Sequence, residues 1–235
     1  MRRLGNSQSG ENNHVKDGGM TKDSDISKYL ALCGERERKD TSRGSIYPGT
    51  PTHMGLTREP PRARTFPIWQ TIELGTGLQT PDEFHEAAKQ VGRSIDRSAD
   101  ILGSPDFSVS PHRVEVDLVK VRVDGLGFDY EPTQLILYAR AIVELGLDFC
   151  PAEVGPQLLL QCRVESINMS MSVGMRSVYL PVFLGMHPIA DSGGGLNLFG
   201  ISRSIEDGLT LIAGYGSTCC HWPLHQEMVF VQTRE

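Results

Sequence analysis

The chain has 235 residues, a formal net charge of −6 and a hydrophobic fraction of 39%. That suffices for one sizeable domain but is low for a chain folded from end to end. The acidic balance argues against a dedicated nucleic-acid binder, and no run reaches the roughly 18 apolar residues of a membrane span.

The charge is unevenly spread. Residues 1–66 carry 12 Lys/Arg against 8 Asp/Glu, whereas residues 67–235 carry 11 against 21. Residues 1–65 are rich in Gly, Ser, Asn, Asp, Arg and Pro, so they offer little apolar area to offset the entropy of ordering. They read as a disordered, mildly basic arm with Met20 and Met54 as alternative starts. One short helical turn is expected after Asp23 or Ser24, with Ile26, Tyr29 and Leu30 on its apolar side. No apolar h-region follows Met1-Arg2-Arg3, so no secretory signal is expected. Five cysteines, two of them adjacent, do not form a disulfide framework, which suits reduced thiols in the cytoplasm.

Residues 66–235 read as a single α+β domain: two amphipathic helices with a mostly antiparallel sheet. Trp69–Leu74 alternates as a short strand. Thr80-Pro81-Asp82-Glu83 is a capping box with proline at the first helical position. Phe84, Ala87, Ala88, Val91, Ile95, Ala99 and Leu102 then follow at helical spacing until Gly103-Ser104-Pro105. Val114–Val123 is the best strand, and a phase flip predicts a bulge near Leu118. A second helix is expected over Pro132–Leu145, with Leu135, Ile136, Ala139, Ile142 and Val143 inward and Gly146 as its stop. Gln157–Val164 reads as a buried strand, with a helical turn as the alternative. A meander follows: Val178–Met186, Leu196–Ser202, Leu209–Ala213 and Met228–Gln232.

Chemical motifs are weak. Gly75-Thr76-Gly77 lacks the rest of a phosphate loop, and Asp82 and Glu83 occupy the helix start that an anion would need. His85-Glu86 opens a zinc-protease pattern, but Lys89 stands where the second histidine belongs. Cys219, Cys220, His221 and His225 are candidate metal ligands, although no CxxC is present. Cys150, Glu153 and Asp191 are the candidate catalytic residues, with His187 or His221 as the base that a thiol nucleophile would need. Asp191-Ser-Gly-Gly-Gly has the composition of a calcium loop without its alternating acids, and reads as a hairpin turn. No cofactor motif is complete, so no cofactor is expected.

Several stretches are distinctive together: Trp69-Gln-Thr-Ile-Glu-Leu-Gly-Thr, Ser98-Ala-Asp-Ile-Leu-Gly-Ser-Pro, Val116-Asp-Leu-Val-Lys-Val, Tyr138-Ala-Arg-Ala and Leu145-Gly-Leu-Asp-Phe-Cys-Pro-Ala-Glu-Val-Gly-Pro-Gln-Leu-Leu-Leu-Gln. In them the chain resembles an uncharacterised domain of hypothetical proteins from candidate-phyla bacteria. The likeness is dense over residues 66–162 and patchy beyond. It implies one bacterial domain behind a variable leader, and carries no activity. Leu211 and Cys162 depart from the aromatic residues of that pattern, and Asp191-Ser-Gly-Gly-Gly departs from its acidic turn.

Three functions remain open at this point. The first is a non-enzymatic cytoplasmic binding module whose partner is a protein or a small ligand. The second is a small hydrolase or transferase built near Cys150, Glu153 and Asp191. The third is RNA association through arginines of the arm, among them Arg2, Arg3, Arg36, Arg38 and Arg43.

Overall fold

A computed structural model of the protein describes residues 66–167, 172–173, 176–177, 181–204 and 208–232; the expected arm and its short helix lie outside them. Strand β1 (Gln70–Leu74) leads into a loop that turns at Gly75 and Gly77, both at positive φ. Helix α1 (Pro81–Gln90) then starts on the expected capping box: Thr80 Oγ1 accepts from the Glu83 amide, and the Glu83 carboxylate accepts from the Thr80 amide. Phe84 and Ala88 are its buried side.

The helical spacing continues past Gln90, but the helix does not. Gly92 takes φ +68°, a conformation that ends a helix at little cost for glycine alone. A two-residue strand β2 (Ser94–Ile95) follows. Asp96 then caps a 3-10 helix, Arg97–Gly103, through the Ser98 amide. The apolar residues expected on one long helix are thus divided between two short ones, with Ala99, Ile101 and Leu102 buried from the second.

Strand β3 (Val114–Arg122) pairs with β1 without the expected bulge; the register runs unbroken from Gln70↔Leu118 to Leu74↔Val114. The phase flip has another cause. Leu118 and Val119 point to opposite faces and are both fully buried, so mid-strand β3 is covered on both sides.

Helix α2 (Gln134–Tyr138) passes directly into π-helical turns over Ala139–Glu144. The buried residues still recur at ordinary helical spacing, but on a face offset from the expected one. Leu137, Tyr138, Ala141 and Ile142 are buried, while Ile136 and Val143, expected inside, are 40% and 52% exposed. Helix α3 (Val154–Gln161) takes the place where a strand over Gln157–Val164 was the first reading and a helical turn the alternative. It is buried nearly all round, from Val154 to Leu159, so its apolar residues show no amphipathic period that would mark it as helix.

A short hairpin, β4 (Ser172–Val173) with β5 (Arg176–Ser177), stands apart from the main sheet. The remaining strands are β6 (Val182–Leu184), β7 (Ile189–Ala190), β8 (Leu196–Ser204), β9 (Gly208–Tyr215) and β10 (Glu227–Gln232). Eight strands form one sheet in the order β1-β3-β10-β6-β8-β9-β2, with β7 beside β8. Its pairs are antiparallel except β10 with β6 and β2 with β9. The expected class, α+β with a mostly antiparallel sheet, is observed.

The sheet is curled. Helix α3 touches β1 at one end of the strand order and β8 and β9 towards the other. It is therefore a central pillar with the sheet bent round it. Gly155 makes the closest approach possible: a Cβ there would stand 2.7 Å from the Phe199 ring. No helix among the described residues is long and apolar enough to cross a membrane.

Candidate functional site

The densest buried polar group in the described chain hangs from α3. Glu153, Gln157 and Gln161 recur every four residues and so lie along one stripe of the helix. That stripe faces β1 and the loop after it. Glu153 is 1% exposed, yet all its neighbours are donors: Oε1 accepts from the Gly75 amide at 2.8 Å and from Gln157 Nε2 at 3.0 Å, and Oε2 from the Ser110 amide at 2.7 Å. Gln157 Nε2 also reaches Thr76 Oγ1 at 2.7 Å. Gln161 closes the row. Its Oε1 accepts from the Glu73 amide at 2.9 Å, and its Nε2 donates to the Glu73 carbonyl at 2.8 Å and to Gln157 Oε1 at 3.0 Å.

Strand β1 ends the sheet, so its outward backbone groups have no strand to pair with. The Gln161 amide pairs both outward groups of Glu73, as a neighbouring peptide would. Two residues on, Glu153 takes the outward amide of Gly75. One helix therefore seals a free sheet edge with side chains, which removes a template for edge-to-edge association. Gly75 cannot be replaced here: its φ is +66° and a Cβ would lie 2.1 Å from the His112 carbonyl oxygen. The loop at residues 110–113 is thus pressed onto the Gly75 turn, with Glu153 joining the two.

The opposite end of the sheet is also covered. Strand β2 pairs with Thr210 and Leu211, the Asp96 amide donates to the Leu211 carbonyl, and Ser98 Oγ accepts from the Ala213 amide. The C-terminal end of α3 is held from the same region. Arg93 Nη1 donates to the Leu159 carbonyl and Nη2 to the Cys162 carbonyl, so a cation meets the negative end of the helix.

The candidate catalytic residues have separate partners. Cys150 is buried, its thiol donates to the Val229 carbonyl at 3.4 Å, and burial pushes the thiol far above its ordinary value. Desolvation disfavours its thiolate, which is the nucleophilic form. Asp191 Oδ1 accepts from the Gly193 and Gly195 amides and Oδ2 from Asn197 Nδ2, which locks the turn between β7 and β8. The His187 ring packs on Phe149, with centroids 4.4 Å apart. Cys150, Glu153 and Asp191 share no hydrogen-bond partner, and each serves a different local structure.

The candidate metal ligands lie on the segment before β10. Cys219, His221 and His225 are exposed and Cys220 is half-buried. His221 Nδ1 lies 3.0 Å from the Glu131 carbonyl, and Cys219 Sγ lies 3.1 Å from Ser217 Oγ. Among the described residues no three His, Cys, Asp or Glu side chains gather as a metal would need. An open cleft runs along the outer side of α1, lined by Asp82, His85, Glu86, Lys89, Arg93, Ser94 and Ile95. It holds no nucleophile paired with a base.

Gln157, Gln161 and Arg93 were not singled out from the sequence. The four-residue spacing of Glu153, Gln157 and Gln161 inside an apolar run was the available signal, because it fits a helix and breaks strand alternation. No family model, curated protein or solved structure matches the chain.

Proposed function

We propose that the protein is a non-enzymatic binding module of the cytoplasm, of the bacterial domain type its sequence resembles. One observation carries the reading. The side chains that could have formed a catalytic centre are spent on the frame: buried Cys150 on β10, buried Glu153 and its glutamines on the β1 edge, and half-buried Asp191 on its own turn. Catalysis needs groups within reach of one reacting atom, and these groups serve separate places.

Part of each end of the sheet is capped, β1 at Glu73 and Gly75 and β9 by β2 and Ser98, so a partner adding a strand at those places is disfavoured. Recognition then falls to side chains on the surface, where Tyr130, Ile136, Val143 and Tyr215 are large and exposed. The four described cysteines are free thiols, which suits a reducing compartment.

The test is affinity capture with the full chain and three variants, quantified by mass spectrometry. The expected result is a reproducible partner retained by Cys150→Ser and lost by Ile136→Asp or Tyr130→Asp. Failure to recover any reproducible partner would overturn the reading. So would a hydrolytic or transfer activity that disappears in Cys150→Ser or Asp191→Asn.

A further inference from the structure

Cys219 and Cys220 lie outside the core, and of their thiols Cys219 Sγ meets Ser217 Oγ at 3.1 Å. Cys219 is exposed and Cys220 half-buried, side by side on the turn that Cys220 closes by donating its amide to the Ser217 carbonyl at 3.0 Å. Adjacent Cα atoms in a trans peptide stand about 3.8 Å apart, short of the roughly 4.4–6.8 Å that an ordinary disulfide spans. A direct sulfur–sulfur bond is thereby disfavoured and the pair persists as a dithiol. A single soft atom inserted between the sulfurs relieves that restriction. Zinc would need further ligands, and among the described residues no third His, Cys, Asp or Glu gathers with the pair. A trivalent arsenical needs only two thiols, its third position being filled by its own organic group.

The same turn holds the start of α2. The Cys220 carbonyl accepts from the Gln134 amide at 2.8 Å, and the Thr218 carbonyl from the Leu135 amide at 3.3 Å. The Gly216 carbonyl takes Gln134 Nε2 at 3.0 Å. The first donors of the helix are thus satisfied by carbonyls that flank the Cys219–Cys220 peptide on both sides.

We propose that Cys219 and Cys220 chelate a trivalent arsenical and that closing this ring releases the start of α2. The reaction is a condensation. Two As–S bonds form, the As–O bond of the arsenoxide breaks, and both thiol protons leave with its oxygen as water. Arsenic stays trivalent, so no oxidant or reductant is consumed. The ring fixes the two torsions between the cysteine Cα atoms and draws the flanking carbonyls off the Gln134 and Leu135 amides.

Phenylarsine oxide added to the full chain tests this. Intact-mass analysis should show one adduct, reversed by 1,2-ethanedithiol. It should be retained in Cys33→Ser and lost in Cys219→Ser, whose exposed position keeps that variant folded. Hydrogen exchange at the Gln134 and Leu135 amides should accelerate about tenfold on adduct formation, as expected for loss of their hydrogen bonds. An adduct that survives Cys219→Ser overturns the site. An adduct that leaves both amides exchanging at the original rate overturns its link to α2.

Discussion

Replacing Gln161 by Leu tests how the curled sheet is finished. The substitution keeps a helix-forming side chain of similar length but removes an amide that pairs the Glu73 amide and carbonyl as well as Gln157 Oε1. An orphaned buried donor or acceptor costs about 1–3 kcal/mol. Glu73 and Gln161 are half-buried, so water recovers part of that loss and the low end applies to each group. The expected destabilisation is about 2–3 kcal/mol in total. For a domain of this size that lowers Tm by roughly 5–10 °C. Urea unfolding supplies the free energy, and native-state hydrogen exchange supplies the location: the Glu73 amide should lose protection while β3 and β10 keep theirs. Gln90→Leu, on the exposed side of α1, is the matched control and should stay within about 0.5 kcal/mol of the parent. A Gln161→Leu protein as stable as the control, or one whose Glu73 amide remains protected, would refute the sealing of β1 by α3.

Gly155→Ala should destabilise by about 1–3 kcal/mol in the same urea assay, because its Cβ would be driven to 2.7 Å from the Phe199 ring. Cys150 should resist iodoacetamide in the native protein until unfolding exposes it, while Cys219 is alkylated at once; peptide mapping over time separates the two. The Glu83 carboxyl is held below its ordinary value by the Gln79 and Thr80 amides. A lowered folded value means its contribution is complete above the unfolded carboxyl range and fades as pH falls through the folded one. Glu83→Gln should therefore flatten the loss of stability between about pH 5 and 3, and a variant as acid-sensitive as the parent would contradict the capping box.

What could be read from the sequence depends on how local the cause is. The capping box is local: Thr80, Pro81 and Glu83 satisfy one another within a single turn, so the start of α1 was legible. The end of α1 was not. Val91 and Ile95 continue the helical spacing, and only the positive φ at Gly92 together with the caps after it divide the run. Strands β1, β3, β6, β8, β9 and β10 were legible, β3 despite a break in alternation from being covered on both faces, whereas β2 and β7, two residues each, are too short to carry a period. The inward face of α2 was misassigned because apolar residues surround it: Leu135, Ile136, Ile142 and Val143 fit one helical face and Leu137, Tyr138, Ala141 and Ile142 another, and only packing chooses the second. Helix α3 is the clearest case. A helix surrounded by its own protein loses the polar face on which helical periodicity depends. What survives is the polar stripe of Glu153, Gln157 and Gln161, which exists for the unpaired edge of β1 rather than for water.

That stripe also explains why the candidate site looked catalytic from the sequence. A carboxylate three residues after a cysteine has the residue types of a thiol-nucleophile centre. Their chemistry is used differently here. A curled sheet leaves backbone groups on its end strands, and buried groups of that kind must find partners. Closing about eight strands into a barrel would leave an interior wide enough only for side chains, not for a helix. Closure by side chains from that helix satisfies the same groups and fixes the helix at once. The Glu153 carboxylate, with three donors around it, is then a structural joint between α3, the Gly75 turn and the Ser110 loop. Glu153→Leu separates this role from a catalytic one. It should unfold or strongly destabilise the protein whatever the assay buffer holds, since two backbone amides lose their acceptor together. A stable, folded Glu153→Leu protein that had lost only its activity would put the carboxylate back among the reacting groups.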